Sequence, residues 1–152
     1  NFPEMEKLHS DLEVMEICQV PQAVIYPKKF GIKKDIADFQ DSVFYLSADA
    51  PVEYSRANLE QICVQKEFIP KTKVVPNHAT LLSLMDREDS AAIMDLWCQP
   101  IYDKKFKYVR LEASVPIVGA FRKNCAHAKI IRMLYKTLAE RYEEEVMIII
   151  RK

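Results

Sequence analysis

Two stretches of the sequence interleave lysine with aromatic residues, a combination that could bind single-stranded nucleic acid. They are "YPKKFGIKK" (26–34) and "YDKKFKYVR" (102–110), which share the pattern Tyr-x-Lys-Lys-Phe. Aromatic rings can stack on unpaired bases while lysines pair with phosphates. The same alternation is also typical of a half-exposed strand, where lysine keeps a sheet edge from pairing with another chain. Under the first interpretation, the candidate RNA-binding residues are Lys28, Lys29, Lys104, Lys105, Lys107 and Arg110.

No set of residues in the sequence predicts catalysis. Cys125 and His127, in "CAH", suggest a nucleophile and its base, but the helix predicted there turns the two side chains about 200° apart. The three glutamates at 143–145 are interpreted as a solvated turn and not as a metal site. We therefore predict no catalytic residue and do not expect an enzyme.

The cysteines and glycines limit the cofactors that the chain could hold. The two glycines are too few for a glycine-rich phosphate loop. No two cysteines form the C-x-x-C pair that zinc knuckles and ribbons need. We expect neither a metal nor another cofactor. The cysteines are interpreted as small buried side chains in the reducing cytoplasm, with the nucleus as the alternative. They are Cys18, Cys63, Cys98 and Cys125.

The charge and hydropathy of the chain bound its partners. The 22 basic and 22 acidic residues cancel, so any attraction to nucleic acid must come from a local patch. Apolar residues make up 49% of the chain, which is enough for a packed core. No apolar run approaches the roughly 18 residues of a membrane-spanning helix. Because the first residue is Asn1, the sequence is expected to be a fragment of a longer protein.

The hydrophobic periodicity predicts a mixture of helices and strands. Predicted helices are 3–15, 51–65, 78–84, 90–99 and 118–142, with Asn77 as the N-cap of the third. Predicted extended segments and strands are 16–20, 22–27, 42–48, 72–76, 100–106, 107–113 and the C-terminal 145–152. The segments 100–106 and 107–113 are expected to form an antiparallel pair.

A short internal match suggests that the chain contains a repeat. "LSADAPV" at 46–52 and "LEASVPI" at 111–117 agree as L-x-A-x-x-P-[VI], at an offset of 65 residues. Each is predicted to follow a strand and to precede a helix. We interpret this as two related units of about 70 residues.

The predicted order in the second unit is strand, helix, loop, helix, strand, strand, helix, which resembles a eukaryotic-type KH domain. "VVP" (74–76) resembles the end of that family's first strand, and Ala113 and Ala48 take the place of a family glycine. The resemblance implies an α+β fold of two KH-like units, each a three-stranded antiparallel sheet covered by helices. The units are 1–68, incomplete at its N-terminus, and 69–142, followed by a terminal strand at 143–152. The pair is similar in kind to the Bicaudal-C-like group and to KH-like pairs of some ribonuclease-domain proteins.

The KH family clamps a phosphate backbone with a glycine-rich loop, and this sequence departs from the family there. In its place the sequence has three acids, one arginine and no glycine, a local charge of about −2 that would repel phosphate. The loop is interpreted either as a solvated turn with capping acids or as an acidic spot for a basic peptide. Its residues are Met85, Asp86, Arg87, Glu88 and Asp89.

The resemblance therefore implies a non-catalytic scaffold of an RNA-regulatory protein, acting through protein–protein interaction or dimerisation. The alternative is a module that binds single-stranded RNA through its basic strand residues. The expected partners are another protein or a second copy of the chain, with RNA bound weakly. No membrane and no small-molecule substrate is expected.

Overall fold

The computed structural model describes residues 11–96 and 104–150, with side chains in the second range as far as residue 142. Five strands are present in the described residues: β1 (Leu12–Pro27), β2 (Val43–Ser47), β3 (Lys71–Val75), β4 (Ser90–Asp95) and β5 (Phe106–Arg122). Three α-helices accompany them: α1 (Val52–Val64), α2 (His78–Met85) and α3 (Ala128–Ile150). Two short 3-10 turns, Lys28–Phe30 and Ile36–Phe39, lie between β1 and β2. None of the described helices is long and apolar enough to cross a membrane.

The strands form one five-stranded mixed sheet in the order β3-β2-β4-β1-β5. β2 pairs in parallel with β3, from Val43↔Lys71 to Ser47↔Val75, and also in parallel with β4. β1 is antiparallel to β4. Parallel neighbours need a crossover connection, and α1 and α2 supply those between β2, β3 and β4. The predicted pair of three-stranded antiparallel KH-like sheets is therefore wrong.

β4 occupies a position that was predicted to be a helix, 90–99. It lies between β2 and β1, and Ser90, Ala91 and Ala92 are all buried. A strand covered on both faces shows a continuous run of apolar or small residues and no alternation. Such a short run cannot be distinguished from a buried helix by periodicity alone, which explains the wrong prediction. Residues 97–99 of the predicted helix lie outside the described residues.

β5 also replaces several predicted elements. Residues 106–122 form one strand, so the predicted antiparallel pair is wrong for the part of it that is described, and α3 begins at Ala128 and not near residue 118. Pro116 lies within β5, which is the outermost strand, where a proline disrupts less pairing than in a central strand. The predicted internal repeat is wrong. Residues 46–52 run from the end of β2 into the start of α1, whereas residues 111–117 lie inside β5.

Both ends of the chain also differ from the predictions. Residues 12–15, predicted as the end of a helix, belong to β1, and residues 1–10 lie outside the described residues. Residues 143–150, predicted as a terminal strand, continue helix α3.

The chain divides into two compact units. The first, called the core unit, is Pro21–Ser114; the second, called the terminal unit, combines the chain up to Val20 with the chain from Val115 onward. The chain passes from one unit to the other within β1 and again within β5. The predicted boundary between residues 68 and 69 falls inside the core unit.

The core unit buries an apolar cluster on each face of its sheet. Neighbouring residues of one strand contribute to different clusters, as the alternation of side chains along a strand requires. The first cluster, under α1, contains Val24, Tyr26, Ile36, Phe39, Phe44, Leu46, Leu59, Cys63, Ala91, Val109 and Leu111. The second, under α2, contains Ile25, Tyr45, Val75, Leu81, Met85, Ala92 and Phe106.

In the terminal unit, α3 contacts β5 closely at Gly119. A Cβ atom there would lie 2.2 Å from the ring of Tyr135, so only glycine fits without moving that ring. Phe121 packs against the same ring, with centroids 6.0 Å apart. Arg132 on α3 donates to both carboxylate oxygens of Glu13 on β1, and this bidentate contact lowers the pKa of Glu13.

Cys63, in the first cluster, should be chemically inert in the folded protein. Burial raises the pKa of its thiol to about 12, and the thiolate is the reactive form. We expect iodoacetamide at pH 8 to label Cys63 at least ~100-fold more slowly than in the urea-unfolded chain, as measured by peptide mass spectrometry. Cys125, which is partly exposed, is the internal control. Equal labelling of Cys63 before and after unfolding would contradict this burial.

Candidate ligand-binding site

A pocket of about 190 Å³ opens in the core unit where the parallel strands end. β2 ends at Ser47 and turns into α1, β3 ends at Val75 and turns into α2, and the end of β4 adds Ile93 and Met94. In open sheets with parallel strands, ligands bind at this carboxyl edge, where the turns into helices leave a crevice. We call this the strand-end pocket. Its lining is Gln22, Phe44, Tyr45, Leu46, Ser47, Ala50, Tyr54, Ser55, Asn58, Leu59, His78, Leu81, Ile93 and Met94.

The two turns beside the strand-end pocket are tied together through Asp49. Its carboxylate accepts a hydrogen bond from the backbone N–H of His78 at 2.8 Å and another from the Ser47 hydroxyl at 3.3 Å. The backbone N–H of Ala48 donates to the carbonyl of Val75 at 2.9 Å. The turn after β2 is therefore fixed to the start of α2, which makes this rim of the pocket rigid.

The two helices that begin at the pocket differ in how their N-termini are capped. In α2, the side chain of Asn77 accepts from the N–H of Thr80 at 2.9 Å, so the predicted N-cap is confirmed. In α1, the N-cap position is Pro51, whose side chain makes no capping hydrogen bond. The first turn of α1 therefore retains backbone donors, and Glu53 in that turn offsets part of the positive end of the helix dipole.

The polar side chains that line the strand-end pocket are hydroxyls, amides and one imidazole. Among the described residues, its lining contains no lysine, arginine, aspartate or glutamate. Asn58 Nδ2 donates to Gln22 Oε1 at 3.1 Å, which orients both amides at the floor. A group that enters this pocket would therefore meet mainly hydroxyl, amide and imidazole groups of the described residues. These polar side chains are Gln22, Ser47, Tyr54, Ser55, Asn58 and His78.

The structure brings the two basic stretches side by side, which the sequence did not predict. The backbone N–H of Lys28 donates to the carbonyl of Lys105 at 3.1 Å, and Lys107 Nζ donates to the carbonyl of Gly31 at 3.1 Å. Lys29 Nζ donates to the backbone carbonyl of Asp86. Among the candidate RNA-binding residues, Arg110 lines a different hollow, together with Asp35, Asn58 and Glu112.

The predicted KH loop, 85–89, is a helix-to-strand turn. Met85 is the last residue of α2 and is fully buried, and the next four residues lead into β4. Asp89 accepts from the Ser42 hydroxyl at 3.1 Å and pairs with Lys33 at 3.3 Å. Glu88 accepts from the Tyr45 hydroxyl and pairs with Lys73 at 3.4 Å. Two of the acids thus stabilise the core unit itself, and the turn does not correspond to the KH loop between two helices.

Comparison with solved structures finds the same fold in proteins described as transcriptional regulators or their effector-binding domains. The chain matches CbnR, a LysR family transcriptional regulator, with a TM-score of 0.64 and 19% identity, over 88% of this chain and 48% of that one. It matches a Corynebacterium glutamicum OxyR mutant with a TM-score of 0.70 and 11% identity, over 91% and 46%. It matches the effector-binding domain of QuiR, solved with shikimate, with a TM-score of 0.60 and 17% identity, over 90% and 67%. No family model and no curated protein matches the sequence.

These similarities show that the chain has the fold of LysR-type regulatory domains. The KH identification is therefore wrong, and with it the prediction of an RNA-regulatory scaffold or RNA-binding module. The chain spans about half the length of CbnR and of the OxyR mutant. The prediction that no small-molecule substrate binds followed from the KH resemblance, so the corrected fold no longer supports it.

Proposed function

We propose that this chain is part of the effector-binding domain of a LysR-type transcriptional regulator, and that its strand-end pocket binds a small polar effector. The observation that carries the proposal is the position of the pocket, at the carboxyl edge of parallel strands. The fold supports it, because QuiR, which shares the fold, was solved with shikimate in its effector-binding domain. The proposal assigns no catalytic step to the chain and places it in the cytoplasm.

The lining of the strand-end pocket indicates the chemistry of the effector. Ser47, Ser55 and Asn58 offer hydroxyl and amide groups that suit the hydroxyls of a ligand. The uncapped N-terminus of α1 suits a carboxylate. The volume of about 190 Å³ lies below the roughly 300–1,000 Å³ of drug-sized pockets. We therefore propose a hydroxylated organic acid, smaller than a nucleotide.

The test is titration calorimetry of the chain with a panel of small hydroxy acids that includes shikimate. We expect at least one acid to bind, and we expect Ser55→Leu, which fills the pocket with an apolar side chain, to weaken its binding at least ~10-fold, equivalent to about 1.4 kcal/mol. Ala57→Leu adds the same side chain at an exposed position of α1 outside the pocket, and it should bind as the unmodified chain does.

Two results would overturn the proposal. One is the absence of binding by every acid in the panel. The other is binding that Ser55→Leu and Ala57→Leu leave equally strong, because the ligand would then lie elsewhere.

Self-association, expected from the sequence, remains part of the proposal. Four exposed aliphatic side chains on α3 support it, since an apolar surface of this kind favours contact with another molecule. They are Ile130, Met133, Leu134 and Leu138.

A further inference from the structure

A second pocket lies in the core unit at the opposite end of α2 from the strand-end pocket. Its volume is about 530 Å³, within the roughly 300–1,000 Å³ that ligand pockets usually have. We call it the lysine pocket. Its lining is Leu82, Ser83, Asp86, Arg87, Lys104, Lys105 and Phe106.

The lysine pocket carries a surplus of positive charge in a chain whose net charge is zero. Among the described residues of its lining, three cations, Arg87, Lys104 and Lys105, face one acid, Asp86, which gives these residues a net charge of about +2. The contact between Lys105 and Asp86 is 4.0 Å long, with side chains 71% and 52% exposed. An exposed ion pair of this length contributes little stability, so Lys105 can still pair with an added anion.

A purely structural role for these cations would be to stabilise the C-terminus of α2, because the last carbonyls of a helix carry partial negative charge and attract cations. Lys29 already does this, since its ammonium donates to the carbonyl of Asp86, the C-cap residue. Within the described residues, the side chains of Arg87 and Lys104 make no ion pair or hydrogen bond. These two cations are therefore available to an added anion.

The floor of the lysine pocket is apolar. Phe106 is buried in the second cluster, where it packs with Leu81 and Met85, and Leu82 packs against the same cluster. The ring is thus held in place by the core of the unit. A ligand that covers this floor would remove apolar surface from water, which a bare inorganic anion cannot do.

We propose that the lysine pocket is a second ligand site, separate from the effector site, for a small anion with an aromatic body. The ring of the ligand lies mainly on Leu82, which is only partly buried, beside the small exposed part of Phe106, and its carboxylate or phosphate pairs with Arg87 and Lys104. Partial removal of water by the ring strengthens those charge-assisted contacts. The proposal does not depend on the proposed effector, because it uses residues that the strand-end pocket does not share.

The experiment is titration of the chain with phenyl phosphate and with benzoate, followed by calorimetry or by amide chemical shifts. Binding of either probe supports the site, and the stronger one identifies the anionic group. Benzyl alcohol, which lacks the charge, and inorganic phosphate, which lacks the ring, should each bind at least ~10-fold more weakly. The double variant Lys104→Ala/Lys105→Ala should also weaken binding at least ~10-fold. The matched double variant Lys66→Ala/Lys71→Ala, outside the pocket, should not.

Several outcomes would overturn the site. Inorganic phosphate that binds as tightly as phenyl phosphate would indicate a nonspecific cationic surface. Loss of phenyl phosphate binding in Ser55→Leu would place that ligand in the strand-end pocket instead. A single-stranded oligonucleotide that binds more tightly than either probe, through the same lysines, would assign the surface to nucleic acid. Absence of binding by both probes would also reject the site, while leaving the effector proposal intact.

Discussion

Replacing Phe39 with alanine is expected to lower the free energy of unfolding by about 3–5 kcal/mol. Phe39 is fully buried in the first cluster. Its ring meets Tyr26 edge-on with centroids 5.2 Å apart, lies 6.1 Å from Phe44, and has the Lys33 ammonium 4.5 Å above it. Alanine would remove all three contacts. It would leave a cavity between Tyr26 on β1 and Phe44 on β2 that these two strands cannot close. Urea denaturation followed by circular dichroism measures the loss.

The control for Phe39→Ala is Ile32→Ala, seven residues earlier. Ile32 is 77% exposed, so its truncation should change the free energy of unfolding by no more than about 0.5 kcal/mol. Losses of similar size in the two variants would contradict the placement of Phe39. Phe39→Leu, which keeps most of the apolar volume, should lie between the control and Phe39→Ala.

Replacing Met85 with alanine is expected to cost about 2–5 kcal/mol. Met85 is fully buried at the end of α2, in the cluster that contains Leu81 and Phe106. In a KH loop the same residue would be exposed, and its truncation would be nearly neutral. Thermal and urea unfolding of this one variant therefore distinguish between the two folds.

Arg87→Ala is the matched control for Met85, because Arg87 is an exposed residue of the same five-residue stretch. Its free energy of unfolding should stay within about 0.5 kcal/mol of the unmodified chain. A neutral Met85→Ala would indicate that α2 does not pack on the sheet as the structure has it.

The sequence correctly predicts the helices and strands whose hydrophobic pattern and whose boundary residues indicate the same kind of element. β2, β3, α1 and α2 were each predicted within a few residues, because prolines and an N-cap residue mark where they begin or end. The extended segments that form part of β1 were also predicted. The pairing of the strands was not predicted, because it depends on contacts between residues that are far apart in the sequence.

The wrong predictions concern β4 and β5. β4 is rich in alanine because it lies at the centre of the sheet between β2 and β1, where space is small. β5 contains Pro116, which lies between the strand predicted to end at 113 and the helix predicted to begin at 118, but an outermost strand tolerates proline. Predicting a helix in place of β4 created the order helix, loop, helix, which is the part of the KH resemblance that the structure removes most directly.

The candidate sites could be predicted only in part. The lysines at 28, 29, 104, 105 and 107 were identified, but their proximity follows from the contact of the chain after β1 with the start of β5. The strand-end pocket was missed because its polar residues come from β1, the end of β2, α1 and the start of α2, which are far apart in sequence. The available signal was the polar or proline-containing turn after each strand, "SADAP" and "PNH", of which only Asn77 was used, as a cap.

The position of β1 has a consequence for synthesis of the protein on the ribosome. β1 is made before the other strands, yet both of its neighbours, β4 and β5, are made last. Gln22 pairs with Asp95, so about 70 further residues must be added before that contact can form, which takes roughly 4–14 s at about 5–20 residues per second. During that interval the apolar run "VPQAVIYP" lacks both of the strands that flank it among the described residues, so it is exposed to aggregation and is a target for a chaperone.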